Sequence, residues 1–134
     1  MISVMKALGD ENRLRIVHLL MQRAMCVCEL EIILALSQSN TSRHLANLRN
    51  GRIVEPVKHG QWTFYRFSDA FFKNHRILLD YLRDQFEGCV PYDEDLARLN
   101  RYQQAGFSCQ AICKDVCAVQ DVLASRINPS CQEE

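Results

Sequence analysis

The chain has 134 residues, 48% of them hydrophobic and 24% charged, which is the balance of one ordinary globular domain. No apolar run approaches the roughly 18 residues that a membrane span needs, and charges begin at Lys6, so the sequence predicts a cytoplasmic protein without a membrane partner. The net charge is zero, but residues 38–66 hold five basic side chains and one acid, while acids outnumber bases from residue 67 onward. Such a basic middle segment is typical of a surface that faces nucleic acid.

Local signals in the first half of the chain predict four helices. Residues 2–8 form a short helix, and Asp10 is a good N-cap for a second, largely buried helix. A third helix is expected over residues 26–36. Ser37 caps a fourth, whose core side carries Thr41, Leu45 and Leu48 at helical spacing. Burying the Thr41 side chain requires a hydrogen-bond partner for its hydroxyl group.

The second half begins with a change of pattern. Residues 53–58 and 62–67 are β-prone runs joined by a tight turn in which Gly60 supplies a positive φ. Helices are expected over residues 70–86, 93–104 and 108–126, with Pro91 marking a break between the first two. The fold class is therefore mainly α with a small β-hairpin. We expect residues 1–88 to form one domain, and residues 89–134 a helical extension with cysteines and a short flexible tail.

Helix, turn, helix and hairpin in this order are the winged helix-turn-helix arrangement. Six short motifs resemble the ArsR/SmtB family of metal(loid)-responsive repressors, in shared order and spacing over residues 4–67: KALGD, NRLRI, CVCEL, LSQS, SRHL and GQWTFY, starting at residues 6, 12, 26, 36, 42 and 60. The resemblance implies a homodimeric repressor of double-stranded operator DNA rather than an enzyme. It makes residues 1–88 the DNA-binding and dimerisation domain, with residues 70–86 as the dimerisation helix.

The resemblance also assigns a DNA-reading surface to the fourth helix and the hairpin. Amide and guanidinium side chains on such a helix can read base edges, and the hairpin tip suits phosphate or minor-groove contact. The candidate DNA-binding residues are Gln38, Ser39, Asn40, Ser42, Arg43, Asn47, Lys58, His59 and Gln61.

Seven cysteines are many for this length, and an odd number argues against a disulfide framework. The resemblance makes Cys26 and Cys28 ligands of a soft inducer, but Glu31 stands where arsenic-sensing relatives often carry a third cysteine. Because residues two apart on a helix point about 200° apart, Cys26 and Cys28 can share an ion only if the helix is unwound or just begins there. A further thiol would then be needed.

The extension offers such thiols at Cys109, Cys113 and Cys117, which recur every four residues and form one helical stripe. A straight helix cannot bring all three to one ion, and the same residues also suit a buried core. The expected inducer is As(III) or methylarsenite, the latter because it needs only two thiols, with Sb(III), Cd(II) and Pb(II) as further candidates.

Three alternatives use other chemistry. A redox-sensing repressor of the same fold would oxidise its thiols instead of binding metal. A small thiol enzyme would show turnover with a dithiol donor, although the sequence has no Cys-x-x-Cys motif. A metal-independent winged-helix interaction module would keep the same DNA affinity whatever inducer is added.

Overall fold

A computed structural model describes residues 1–109, 112 and 123 of the chain. The expected winged helix-turn-helix architecture is confirmed, and none of the described helices is long and apolar enough to cross a bilayer. The elements in chain order are α1 (Ile2–Leu8), α2 (Glu11–Leu20), β1 (Met25–Cys26), α3 (Val27–Leu34), α4 (Gln38–Asn50), β2 (Val54–His59), β3 (Trp62–Phe67), α5 (Asp69–Asn74), α6 (Arg76–Phe86) and α7 (Val90–Gln104).

The predicted helix caps are confirmed. The Asp10 carboxylate accepts hydrogen bonds from the first-turn amides of α2, at 2.9 Å and 3.1 Å, and the Ser37 hydroxyl accepts one from the Asn40 amide at 3.1 Å. The Thr41 hydroxyl, which needed a partner, donates to the Ser37 carbonyl oxygen at 2.8 Å. The start of α4 is therefore held by local hydrogen bonds that its sequence supplies.

The hairpin is part of a three-stranded antiparallel sheet with strand order β1-β3-β2. Gly60 has φ of 65° at the turn, as expected. The short strand β1 was not expected from the sequence. Cys26 pairs with Phe64 there, so α3 begins one residue later than predicted, and Cys26 is its N-cap in extended conformation.

The prediction of one continuous helix over residues 70–86 is wrong. His75 leaves the helical conformation, with φ of −127° and ψ of 37°, and separates α5 from α6. Its amide still donates to the Phe71 carbonyl oxygen and its own carbonyl oxygen accepts from the Leu79 amide, both at 2.9 Å. The break at His75 therefore costs neither of these backbone hydrogen bonds. The apolar spacing alone could not reveal it.

Helix α7 starts earlier than the expected residue 93, because Pro91 lies in its first turn, where a missing N–H costs little. Its residues Leu99 and Tyr102 are buried in the same core as Ile16 of α2 and Ile33 of α3. Most of the last predicted helix, residues 108–126, lies outside the described residues.

Candidate DNA interface and thiol cluster

Helix α4 has one buried face and one exposed face. Thr41, His44, Leu45 and Leu48 are buried, which confirms the predicted core side. The structure leaves all nine candidate DNA-binding side chains exposed, six on α4 and three at the hairpin tip: Gln38, Ser39, Asn40, Ser42, Arg43, Asn47, Lys58, His59 and Gln61. This arrangement matches a reading helix with an adjoining wing.

The basic side chains of this surface differ in how far their charge is compensated. Arg43 donates a hydrogen bond to the Asn40 side-chain oxygen at 3.0 Å, a neutral partner. Arg66, in contrast, pairs with the Glu55 carboxylate at 2.8 Å. Among the described residues no acid is paired with Arg43, so its charge is uncompensated, whereas the charge of Arg66 is already balanced.

A buried histidine joins α4 to the start of α2. His44 is 2% exposed, and its Nδ1 lies 3.4 Å from an Arg13 guanidinium nitrogen and 4.0 Å from the Asp10 carboxylate. Burial lowers the pKa of His44, although the Asp10 charge opposes that shift. The histidine is therefore a buried packing and hydrogen-bonding group and not part of the exposed face of α4.

The thiol cluster lies at the first turn of α3. Cys26 and Cys109 are buried, at 2% and 4% exposure, and their sulfur atoms are joined in a disulfide across 83 residues of sequence. Their sulfur atoms and a Glu29 carboxylate oxygen lie within 4.8 Å of one another, a grouping that could hold a metal ion. The N-terminus of α3 at Cys26 favours a negative thiolate there in the reduced state.

The Glu29 carboxylate of this cluster already accepts three sets of hydrogen bonds. The Cys26 amide donates to it at 3.2 Å and the Tyr102 hydroxyl at 2.7 Å, and Arg23 pairs with it at 3.2 Å. Burial and the bond to Glu29 raise the pKa of Tyr102. Because its oxygens are occupied and are hard donors, Glu29 fits a positioning role, and the two sulfurs are the soft donor set.

Sequence reasoning missed Arg23, Glu29 and Tyr102 as members of this cluster. One signal was available: Glu29 stands three residues after the N-cap, which is the spacing of a capping box. No comparable signal pointed to Tyr102, because its partner is 73 residues away.

Cys28 is not part of the cluster around Cys26. It is half-buried and lines a different cavity of about 350 Å³ together with Glu31, Arg98 and Ile112, where burial raises the pKa of Glu31. Cys26 precedes the helix and Cys28 lies within its first turn, so the two side chains diverge, as the 200° separation indicates. The candidate ligands Cys113 and Cys117 lie outside the described residues.

Arginine side chains hold the other end of α3. Arg98 of α7 donates to the carbonyl oxygens of Ile33 and Ile32 at 2.6 Å and 3.0 Å, and Arg15 of α2 donates to the Leu34 oxygen at 3.1 Å. Positive groups at a helix C-terminus are favourable for the helix dipole. Helix α7 therefore contacts α3 at both ends, next to the turn that leads into α4.

Comparisons with curated proteins give regulators of metal resistance. The chain is 45% identical over 64 residues to an arsenic resistance transcriptional regulator of Pseudomonas putida, covering 47% of this chain and 50% of that protein. A cadmium resistance regulatory protein of Listeria innocua is 40% identical over 74 residues, 54% of this chain and 58% of that protein. This chain thus spans little more than half the length of these relatives.

An uncharacterized HTH-type transcriptional regulator of Methanocaldococcus jannaschii is matched over most of its length. It is 38% identical over 81 residues, which cover 60% of this chain and 91% of that protein.

Two solved structures share the fold. Reduced HlyU from Vibrio cholerae is 38% identical with a TM-score of 0.52, covering 60% of this chain and 85% of that one. The homodimeric winged helix-turn-helix DNA-binding domain of a possible ArsR-family regulator from Mycobacterium bovis is 26% identical with a TM-score of 0.54, covering 62% and 77%. Residues 10–55 match the model described as bacterial regulatory protein, arsR family. On these matches, the chain belongs to the ArsR family of bacterial regulatory proteins.

Proposed function

We propose that this chain is a homodimeric transcriptional repressor that leaves its operator when a soft metal or metalloid binds the thiolates of Cys26 and Cys109. One observation carries the proposal: two cysteines 83 residues apart have their sulfur atoms in contact at the first turn of α3. The inducer is an arsenical, As(III) or methylarsenite, with Sb(III), Cd(II) and Pb(II) as competing soft ions. The names of the arsenic and cadmium resistance relatives support this choice of ions.

Thiol binding is linked to DNA binding through α3. Cys26 is the N-cap of α3, and the C-terminal turn of α3 leads through Ala35 and Leu36 to the cap of α4, which carries the DNA-reading face. An ion held between Cys26 and the Cys109 segment changes how α3 sits, and α4 moves with it. Moving a dimer from mostly bound to mostly free needs about 5 kcal/mol of coupling, which is within the reach of thiolate coordination.

The identity of a third ligand is open within this proposal. Glu29 is occupied by its hydrogen bonds, so a third thiolate would come from Cys28, Cys113 or Cys117, in the same subunit or the partner. A methylarsenical needs no third thiolate, because carbon fills that position. This difference is measurable as a preference for methylarsenite over arsenite.

The proposed dimer uses the exposed apolar side chains of α5 and α6. Phe72 is 47% exposed, Ile77 86% and Tyr81 59%, and large apolar groups so placed are typical of a surface that another chain covers. A neighbouring structure of the same fold is a homodimer. Two reading helices would then meet successive major grooves of a palindromic operator.

The test is fluorescence anisotropy of a promoter fragment bound to reduced protein, titrated with arsenite, methylarsenite and Cd(II). We expect Cys26→Ser and Cys109→Ser to bind DNA but to resist release, while Cys89→Ser behaves like the wild type because Cys89 is exposed and outside the cluster. Cys28→Ser and Cys113→Ser report whether either supplies a third ligand. If Cys26→Ser and Cys109→Ser both leave the promoter fragment at the inducer concentrations that release the wild type, the proposed site is refuted.

A redox switch is the second candidate, because Cys26 and Cys109 form a disulfide. In that case two thiols and one peroxide give one disulfide and two water molecules, and a dithiol reductant reverses the step. Peroxide would then release DNA from the wild type, dithiothreitol would restore binding, and arsenite would have no effect under reducing conditions. Metal induction and redox induction are therefore separated by the same anisotropy assay.

A further inference from the structure

A groove lined by aromatic and polar side chains opens beside the thiol cluster. It has a volume of about 580 Å³, and its lining consists of Cys109 and Glu29 of the cluster with Trp62, Phe64, Phe107, Arg23, Gln103 and Ser108. A volume of this size suits a small organic ligand. The groove therefore places one sulfur of the Cys26–Cys109 pair beside three aromatic side chains.

We propose that this groove makes the protein a sensor of trivalent arsenicals that carry one aromatic substituent, with arsenic on the Cys26 and Cys109 sulfurs and the ring against Trp62 and Phe107. The proposal rests on the function proposed above and names the ligand class for the same two thiols. Inorganic arsenite would leave the groove empty. A methyl group would fill only a small part of it.

The chemistry follows from the number of soft donors in the cluster. In the structure the two sulfurs form a disulfide, so a dithiol reductant first converts them to two thiols and is itself oxidised to a disulfide. An aryl arsenical R–As(OH)₂ then reacts with the two thiols: two As–S bonds replace two As–O bonds, and each hydroxide leaves as water with a thiol proton. In this second step neither arsenic nor sulfur changes oxidation state. Cys109 lines the groove, so the first As–S bond forms there and the second at Cys26. The carbon substituent fills the third coordination position of arsenic. The Glu29 carboxylate cannot fill it, because its oxygens already accept hydrogen bonds.

The sides of the groove suit an aromatic ring better than an alkyl chain. Trp62, Phe64 and Phe107 are half-buried, so each already presents part of its ring to the groove, where edge-to-face or offset contacts are favourable. The Arg23 guanidinium is held by Glu29 at 3.2 Å and lies 6.0 Å from the Tyr102 ring centroid. A fixed guanidinium next to a ring adds a cation–π contribution.

A ligand in the groove would also contact the hairpin formed by β2 and β3, which is the wing of this fold. Trp62, Phe64 and Arg23 also line a second, wider depression of about 680 Å³, which continues to Val57, His59 and Arg66 of the hairpin. Trp62 pairs with His59 next to the turn, and His59 is a candidate DNA contact. An aromatic arsenical would therefore act on the wing as well as on α3, and we expect it to release DNA at lower concentration than methylarsenite does.

The experiment compares phenylarsenite with methylarsenite on the full, reduced chain. Trp62 is the single tryptophan, so its fluorescence reports ring binding directly, while DNA anisotropy reports release. We expect phenylarsenite to bind at least about tenfold more tightly than methylarsenite, the scale expected for burying a ring in place of a methyl group. In Phe107→Ala that preference should fall to about threefold or less, and Phe107→Tyr should restore it.

Methylarsenite serves as the internal control, because its affinity depends on the thiols and not on the groove. Equal affinity for the two arsenicals in the wild type would overturn the groove proposal and leave the thiol site intact. So would a preference that Phe107→Ala does not change. If neither arsenical binds the wild type, the proposed function and the groove proposal both fail.

Discussion

The Tyr102 hydroxyl of α7 donates a hydrogen bond to the Glu29 carboxylate in the first turn of α3, at 2.7 Å and with both side chains buried. The same carboxylate accepts from the Cys26 amide. The C-terminal part of the chain thus reaches the N-terminus of α3 through a hydrogen bond as well as through Cys109. The N-terminus of α3 is therefore docked on α7 by a hydrogen bond that does not involve Cys109.

Removing that hydrogen bond tests its contribution to stability. Tyr102→Phe leaves the ring packed but takes one donor from a buried carboxylate, so we expect the free energy of unfolding to fall by about 1–3 kcal/mol. Denaturant unfolding of the reduced protein measures it. Tyr81→Phe is the matched control, because Tyr81 is 59% exposed and should change stability by less than about 0.5 kcal/mol. Equal effects of the two variants would contradict the assignment.

The pair formed by Arg15 and Asp95 holds α7 against α2. Arg15 contacts both Asp95 oxygens at 2.8 Å, the carboxylate is 2% exposed, and this bond raises the pKa of Arg15. Asp95→Asn leaves a part-buried guanidinium, 21% exposed, without its counter-charge and should cost about 3 kcal/mol.

An exposed ion pair provides the control for that variant. Asp80 pairs with Arg83 at 3.1 Å, with side chains 73% and 59% exposed, so Asp80→Asn should change the free energy of unfolding by less than about 1 kcal/mol. Thermal and denaturant unfolding of both variants are the measurements. A loss at Asp95 no larger than at Asp80 would show that α7 is not held by this pair.

Stability should depend on pH through His18. Burial lowers the pKa of His18, against the attraction of Asp95 and Asp93; its ring packs edge-on against Phe86 and Tyr92. Below the unfolded pKa of about 6.5, the unfolded chain takes up a proton that the folded chain refuses. The stability that the neutral His18 side chain contributes is therefore fully present above that pH. It is lost as the pH falls through the pKa of His18 in the folded protein.

The variant His18→Phe isolates this contribution. The substitution keeps an aromatic ring in place. It also breaks no hydrogen bond of Nδ1, because this atom has no partner within the part of the chain that the structure describes. Between about pH 7.5 and pH 5 we expect the free energy of unfolding to fall less in the variant than in the wild type. The two slopes should differ by no more than about 1.4 kcal/mol per pH unit. Gln61→Ala, at an exposed position without a titratable group, should follow the wild-type curve. Parallel curves for His18→Phe and the wild type would contradict the prediction.

The two classes of arginine on the DNA face should respond differently to substitution. Arg43→Ala removes an uncompensated charge from α4, and we expect operator affinity to fall by about tenfold or more. Arg66→Ala removes a charge that Glu55 already balances at 2.8 Å and should have a smaller effect. Anisotropy at several salt concentrations measures both. An equal loss for the two variants would show that the Glu55 pair opens on DNA binding.

The sequence determined much of the fold and the division of α4 into a buried and an exposed face, because those features depend on neighbouring residues. Asp10 and Ser37 cap helices through local hydrogen bonds, and the 3.6-residue period placed Thr41, Leu45 and Leu48 inside. The family and the expectation of a regulator rather than an enzyme rested on short motifs in fixed order, and the family match over residues 10–55 confirms both. Whether the exposed side chains of α4 contact operator DNA stays a prediction.

Only the tertiary structure decided which groups meet across long stretches of chain. Periodicity cannot show the break at His75, since the apolar spacing continues through it while the backbone hydrogen bonds are kept. The sequence named Cys26 and Cys28 as neighbours and Cys109 as one of several thiols. The structure joins Cys26 to Cys109 instead, because strand pairing fixes Cys26 outside α3 and the packing of α7 brings Cys109 to it. Such pairings depend on how helices dock, and no local pattern contains that information.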